Sequence, residues 1–431
     1  MKARRKSRFI LLKSRINRAS EMRICIAQTR SIKGEIQENI VNHLKIIERA
    51  VEFNSDLIVF PELSITNYEP ELANTFATNL EDSMFDSFQK VADKNQITIG
   101  IGMPTKAVGG VHISMLIFQP NQPREIYSKS ILHTDEFPYF VSGDCQPMLK
   151  IKGKNVALGI CYETLQREHF VKAKENNADV YIASVAKPDR GTDKAYAYFP
   201  SIAREFRTPI LMVNSVGFSD NFLSNGLSAV WNSKGELRGQ LDEENQGLLI
   251  YDTAIESIEI DQLTIDKGQL VDLDELFQIY IKGKTSLQES GIYQWVDNYP
   301  TKPIIEEDIK KEFLYALRNG TEILGAINIS EEQEAEYRSI DWKFDDSKVL
   351  VIHRLVIHPK YQRNGYGKKL MDFAENFAEK NHYTSIRLDA YSQNERVIEF
   401  YKRRNYYIRG DVYFPEREFA FHCMEKEVKT S

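Results

Sequence analysis

The 431-residue chain predicts an α/β fold for each of two successive domains. Three observations carry this. Apolar runs of strand length alternate with segments of helical periodicity along the chain. Three early runs, 56–63, 125–129 and 154–161, end in residues able to do chemistry: Glu62, Lys129 and Cys161. A later run, 348–357, passes into a basic glycine loop and then a helix with an apolar face.

The elements follow in order. Residues 24–28 alternate as a first strand, and Ile36, Ile40, Leu44, Ile47 and Val51 recur on one helical face. A strand at 56–60, a helix near 79–94 and strands at 97–101, 111–118 and 125–127 come next. The run 155–160 delivers Cys161 just before a helix near 165–177. That placement predicts a thiol favoured as thiolate by a helix N-terminus. A strand at 179–183, a helix at 194–206 and strands at 210–213, 227–231 and 247–251 complete the first series. Residues 255–270 are acidic and weakly patterned. The expected division is therefore a basic leader at 1–21, a first domain at 22–255, a linker at 256–264 and a second domain at 265–431. Strands at 322–329, 348–357 and 384–390 belong to the second domain.

Composition narrows the function classes. Apolar content of 42% and charged content of 27% suit a globular enzyme or binding protein. No apolar run approaches the ~18 residues of a membrane span, so no membrane partner is expected. Four scattered cysteines (25, 145, 161 and 423) form no Cys-x-x-Cys pair, which argues against zinc or a disulfide framework and for the cytoplasm. The first 21 residues carry +7, so the rest carries −13 of the overall −6. This acidic remainder argues against nucleic acid as a partner. The leader is read as a disordered segment or an upstream start, with Met22 the expected natural start.

Glu62, Lys129 and Cys161 are a base, a cation and a nucleophile at three strand ends. The strings Phe-Pro-Glu-Leu (60–63), Tyr-Ser-Lys-Ser (127–130) and Gly-Ile-Cys-Tyr-Glu (159–163) resemble, in this order, those of nitrilase-superfamily carbon–nitrogen hydrolases. The resemblance covers roughly residues 22–255. It implies a four-layer α-β-β-α sandwich, commonly a homodimer or larger, and hydrolysis of a small-molecule amide. By it, Cys161 attacks to form a thioester, Glu62 moves the protons, and Lys129 with the backbone N–H of Tyr162 stabilises the oxyanion. Glu136, seven residues after the lysine, supports Lys129. Tyr68, close after the Glu62 motif, is a candidate to line the pocket; the segment 183–191 walls the substrate site in relatives, so Lys187, Asp189 and Arg190 either select a charged substrate or form a solvated loop. His133 and His169 are read as loop or helix-surface residues without a role. The continuation Thr164-Leu165-Gln166-Arg167 departs from the common Arg-Phe-Pro-Glu of better-known branches, so no named amidase is assigned.

In the second domain, Gln362-Arg363-Asn364-Gly365-Tyr366-Gly367-Lys368 follows a strand and opens a helix with Leu370, Phe373, Ala374 and Phe377 on one face. Glycines let N–H groups close around phosphate, and a helix N-terminus favours the anion. Asn394 and Tyr401 lie two turns apart on a later helix. Residues 265–428 resemble the GNAT acetyltransferases. The resemblance implies acetyl-CoA as co-substrate and an amine acceptor. The loop 362–368 would bind pyrophosphate, and backbone groups of Leu355 and Ile357 the pantetheine arm. Asn394 would contact the cofactor, and Tyr401 would protonate the leaving thiolate. The general base is open among His353, Asp389, Glu416 and a water relay. Segments 291–295 and 413–416 are candidates to wall the acceptor site. The expected whole is a bifunctional enzyme without a metal. The alternative is a hydrolase regulated by a non-catalytic, acetyl-CoA-sensing domain.

Overall fold

The computed structural model describes residues 22–144, 148–344 and 348–428, so the basic leader and Cys145 lie outside the described residues. The chain divides into two compact units, residues 1–262 and 263–431.

Among the described residues, the first unit contains two layered sheets, besides a two-stranded ribbon of Val216–Ser219 and Phe222–Asn225. One has the strand order Gly247–Asp252, Arg23–Gln28, Leu57–Val59, Thr98–Ala107, Gly110–Phe118, Glu125–Ser128. The other runs Leu237–Gln240, Ala229–Trp231, Ile210–Val213, Val180–Ser184, Lys154–Ile160, Met148–Ile151. Strand alternation decides what each side chain meets. Ile24, Ile26, Leu57 and Val59 share a core with Val156, Leu158, Ile160 and Ile182 of the other sheet. Cys25, Ala27 and Ile58 point the other way, onto Ile40 and Ile47 of helix Ile36–Glu52 and Phe88 of helix Asp86–Asn95. Ala157, Tyr181 and Met212 likewise meet Phe170, Phe199 and Ile202 of helices Arg167–Glu175 and Asp189–Phe206. The result is the expected α-β-β-α sandwich.

The second unit is a sheet with helices on both faces. Its strand order is Tyr407–Val412, Phe421–Glu427, Ser385–Tyr391, Val349–Ile357, Glu322–Ser330, Leu314–Asn319. Helix Tyr366–Lys380 packs Leu370, Met371, Ala374 and Ala378 on one face, against Ile327, Leu350 and Leu388. Helices Leu273–Glu289 and Lys302–Lys310 pack Leu276, Tyr280, Ile305 and Ile309 with Ala316 and Ala326.

Several expectations change. Residues 256–264, expected as a linker, belong almost wholly to strand Ser257–Lys267. The acids that obscured it are paired: Glu259 with Arg23, and Asp261 with Arg49. The helix expected near 79–94 begins only at Asp86, after a 3-10 turn capped by Asp82. The element after Cys161 is a 3-10 turn, Cys161–Leu165, and the α-helix begins at Arg167. The thiol therefore does not sit at an α-helix N-terminus. No helix among the described residues is long and apolar enough to cross a membrane.

Candidate functional site

Strand Leu57–Val59 ends in a turn that buries Glu62, and Leu63 there adopts φ 51°. Gly102 presses on this turn; a Cβ there would lie 2.3 Å from the Leu63 nitrogen. Strand Glu125–Ser128 delivers Lys129, which is fully buried. Its Nζ donates to Glu62 Oε1 at 2.8 Å and to Glu136 Oε1 at 2.6 Å. Glu136 also accepts from the Tyr68 hydroxyl at 3.2 Å, and its Oε2 accepts from the His133 backbone at 2.7 Å. An ammonium has three donors, so one Lys129 N–H remains beyond these two bonds.

Cys161 completes the cluster. It stands in the left-handed region at φ 49°, a strained conformation for a non-glycine residue. Glu163 holds this turn. Its Oε1 accepts the Ile160 N–H at 2.7 Å and the Tyr127 hydroxyl; its Oε2 accepts from Ser130 N at 2.8 Å and Ile131 N at 3.2 Å. One buried carboxylate thus ties the Cys161 turn to the segment following Lys129. Sequence reading assigned Glu163 no role, because its donors Tyr127, Ser130 and Ile131 lie more than thirty residues away.

The electrostatics follow from burial. Desolvation pushes the Cys161 thiol up to about 11, Glu62 adds to the rise, and Lys187 and Lys129 oppose it. The resting thiol is therefore neutral, contrary to the thiolate expected from sequence. Desolvation also raises Glu62 above the ordinary carboxylate value, with Lys129 pulling it down. Glu62 Oε2 is buried and accepts no hydrogen bond of standard geometry among the described residues. The Cys161 thiol nevertheless acts on that carboxylate closely enough to favour its ionised form. For Lys129, burial favours the neutral amine, but the charge of Glu62 and its neighbours outweighs it and keeps the ammonium.

A cleft of about 820 Å³ opens onto Cys161, lined by Tyr68, Glu136, Tyr162, Lys187 and Phe222 among others. Lys187 is buried beside the thiol, whereas Asp189 and Arg190 are exposed and do not line the cleft. Tyr162 is half-buried, its ring 4.9 Å from that of His133. His169 corrects the sequence reading: it is buried, not on the helix surface, and its ring nitrogens meet Tyr127 at 3.0 Å and Tyr181 at 2.7 Å.

In the second unit, strands Val349–Ile357 and Ser385–Tyr391 pair in parallel only from Val349↔Ser385 to Ile352↔Leu388. Beyond this the first strand bulges, with a register shift against Ala326 and Asn328 and Arg354 at φ 48°. Arg354 is pinned by two bonds to Asp308, at 2.8 and 2.7 Å, and one to the Tyr299 hydroxyl at 2.9 Å.

A groove of about 460 Å³ runs beside the bulge, lined by Leu355, Ile357, Gln362, Arg363, Gly365, Tyr366, Gly367, Lys368 and Asn394. Asn364 is exposed in the same loop. Gly365 has φ 80°, and a Cβ built there meets nothing within 4 Å. Asn394 caps its helix through Val397 N and donates to Gln294 at 2.9 Å. A second cavity, of about 320 Å³, shares Gln294, Trp295, Leu355 and Val397 with the groove. It collects Tyr401, His353, Asp389, Glu334, Phe414 and Pro415, but Glu416 does not line it. Tyr401 is held protonated by burial and by Asp389. Burial raises Asp389, which accepts from the Tyr337 hydroxyl at 2.6 Å. No group of His, Cys, Asp and Glu able to hold a metal occurs among the described residues.

Comparison with known proteins places both units in families. Residues 23–260 match the carbon–nitrogen hydrolase family and residues 273–406 the GNAT acetyltransferase family. A glutamine-dependent NAD(+) synthetase of Synechocystis is 25% identical over 60% of this chain and 51% of its own length. A probable nitrilase of Schizosaccharomyces pombe is 24% identical over 50% of this chain and 83% of its own. The chain spans about half the length of the synthetase it matches. Among solved structures, a mutant amidase from Nesterenkonia sp. AN1 superposes with a TM-score of 0.51 at 23% identity. It covers 55% of this chain and 91% of its own, and shares the fold. With more than half of its length matched, the chain belongs to the carbon–nitrogen hydrolase family, the nitrilase superfamily, and carries a C-terminal GNAT acetyltransferase domain.

Proposed function

We propose that the first unit hydrolyses a non-peptide carbon–nitrogen bond of a small amide through a Cys161 thioester. The observation that carries this is the buried cluster in which Lys129 is shared by Glu62 and Glu136 beside Cys161. An amide resists attack because its carbonyl is a weak electrophile and its amine a poor leaving group. Glu62 takes the thiol proton as sulfur bonds to the carbonyl carbon. The remaining Lys129 N–H and the Tyr162 backbone N–H stabilise the oxyanion, each such donor being worth about 10²–10³ in rate. Glu62 then gives its proton to the departing amine, leaving the thioester. It next removes a proton from water, which attacks the thioester and releases the acid and the thiol. Glu136 positions Lys129. A mass-spectrometric screen of amides with wild type and Cys161→Ala tests this: turnover by the wild type alone supports it, and equal turnover by both overturns the nucleophile.

For the second unit the proposed reaction is acetyl transfer to an amine. Acetyl-CoA, the co-substrate that GNAT membership implies, supplies an activated acetyl thioester when bound. The residues fit such a group. Loop 362–368 is exposed, has open space at Gly365, and leads into the 15-residue helix Tyr366–Lys380, whose first turn contains no acid. Its N–H groups would hold the pyrophosphate. Pairing with strand Ser385–Tyr391 ends at Ile352, which leaves Leu355 and Ile357 lining the groove, where their backbone groups would hold the pantetheine arm with Asn394 alongside. Tyr401 holds a proton that a departing thiolate can take. His353 and Asp389, which share its cavity with Glu334 and Glu336, are the candidates to accept the amine proton. Thiol release across an amine panel tests this, and binding of acetyl-CoA without turnover would overturn transfer in favour of sensing.

A further inference from the structure

Lys187 is a buried cation of a different kind from Lys129. It is 5% exposed, yet its Nζ has no carboxylate oxygen within 4.0 Å among the described residues. Its ammonium donates to Cys161 Sγ at 3.7 Å. The thiol in turn points at the Ala186 carbonyl, 3.9 Å away. The lysine backbone is fixed: its N–H donates to Asn214 Oδ1 at 2.8 Å, and its carbonyl accepts from Asn214 Nδ2 at 3.1 Å and Asn225 N at 3.0 Å. Asn214 is itself fully buried. A buried ammonium without a counter-ion is costly. The fold nevertheless holds this one against the sulfur.

We propose that Lys187 is a second cation of the hydrolase site, one that pairs with the Cys161 sulfur and stabilises it as thiolate when its proton passes to Glu62. The inference rests on the reading of Cys161 as nucleophile. The step conserves charge: the S–H bond breaks, Glu62 gains the proton, and Lys187 stays protonated. The other groups around the sulfur divide by sign. Glu62 and Glu136 disfavour thiolate and Lys129 favours it. Asp135, Tyr68 and His133 line the same cleft. Of the two nearby cations, Lys129 is already shared between carboxylates, so Lys187 is the one whose charge is uncommitted before the thiol ionises.

The test is site-specific alkylation of Cys161 by iodoacetamide against pH in the full-length protein, quantified on the Cys161 peptide. Wild type is compared with Lys187→Met, Lys187→Gln and Lys187→Arg, each checked for an unchanged melting profile. An opposite charge within ~4–6 Å lowers a thiol pKa by about 1 unit or more. Both neutral variants should therefore move the midpoint up by at least about 1 unit and slow alkylation at neutral pH about tenfold. Lys187→Arg should stay near wild type. An unmoved midpoint in whichever neutral variant folds, with a raised KM, would overturn the pairing and make Lys187 a substrate contact. A Cys161 that never alkylates in wild type would overturn the nucleophile reading and this inference with it.

Discussion

Lys129 and Glu136 are seven residues apart in the chain, and their charged atoms lie 2.6 Å apart inside the fold, with Glu62 on the other side of the ammonium at 2.8 Å. Two buried carboxylates are tolerable here because one cation serves both. Lys129→Met should therefore abolish hydrolysis and also destabilise the first unit. Removing one partner of a buried ion pair costs about 3–5 kcal/mol. Lowering the pH should recover part of that loss in the variant, since protonation discharges the orphaned carboxylates. Denaturant melts of wild type and variant at neutral and mildly acid pH check this; a pH-independent difference would count against shared charge.

Much of this arrangement was legible in the sequence. Strand alternation sorts Ile24 and Ile26 from Cys25 and Ala27, and three strand ends announce Glu62, Lys129 and Cys161. What the sequence hid depended on distant partners. Glu163 looks like one more acid until Ser130 and Ile131 supply its donors. His169 looks like a surface residue until Tyr127 and Tyr181 bury it. Strand Ser257–Lys267 looked like a linker because Arg23 and Arg49, which neutralise its acids, lie over two hundred residues earlier. The thiol was misjudged for a related reason: burial and Glu62 raise it, and the element after it is a 3-10 turn rather than an α-helix.

Gly159 sits in the strand that delivers Cys161, where a Cβ would lie 2.2 Å from the Tyr181 hydroxyl and 2.8 Å from Thr164 Cγ2. Gly159→Ala should cost about 1–3 kcal/mol by overpacking and lower hydrolysis by shifting the Cys161 turn. Tyr181→Phe removes the nearest clashing atom but also the bond to His169. The double variant should therefore lose less than the sum of the singles by about 1 kcal/mol, measurable as a coupling energy in urea. Strict additivity would mean that the backbone, not the hydroxyl, sets the limit.

His43 gives the first unit a pH dependence of its own. It is buried, stacks on Phe60 at 4.1 Å, and its Nδ1 meets the Asn39 carbonyl at 2.7 Å, which assigns the proton to Nδ1. Desolvation lowers its pKa from 6.5 to about 4. Between these values the unfolded chain binds the proton and the folded chain does not. Stability is therefore present above pH 6.5 and is lost as pH falls towards about 4. The loss should reach at most about 3.5 kcal/mol, from ~1.4 kcal/mol per unit. His43→Phe should flatten this part of the stability profile, and an unchanged slope would assign the acid loss elsewhere.

In the second unit, Tyr401 and Asp389 share one cavity. Tyr401 stays protonated because burial, reinforced by the charge of Asp389, opposes phenolate. Tyr401→Phe should lower the acetyl-transfer rate by about 10²–10⁴, the usual range for a general acid, while leaving acetyl-CoA affinity within a few-fold. Asp389 behaves oppositely. Burial raises its pKa above the ordinary 3.8, and a base must be ionised, so the rate should climb with pH through a midpoint above that value. Asp389→Asn should remove that limb of the profile. If instead the limb survives and His353→Gln removes it, the histidine is the base, and Asp389 serves to orient the cavity through Tyr337.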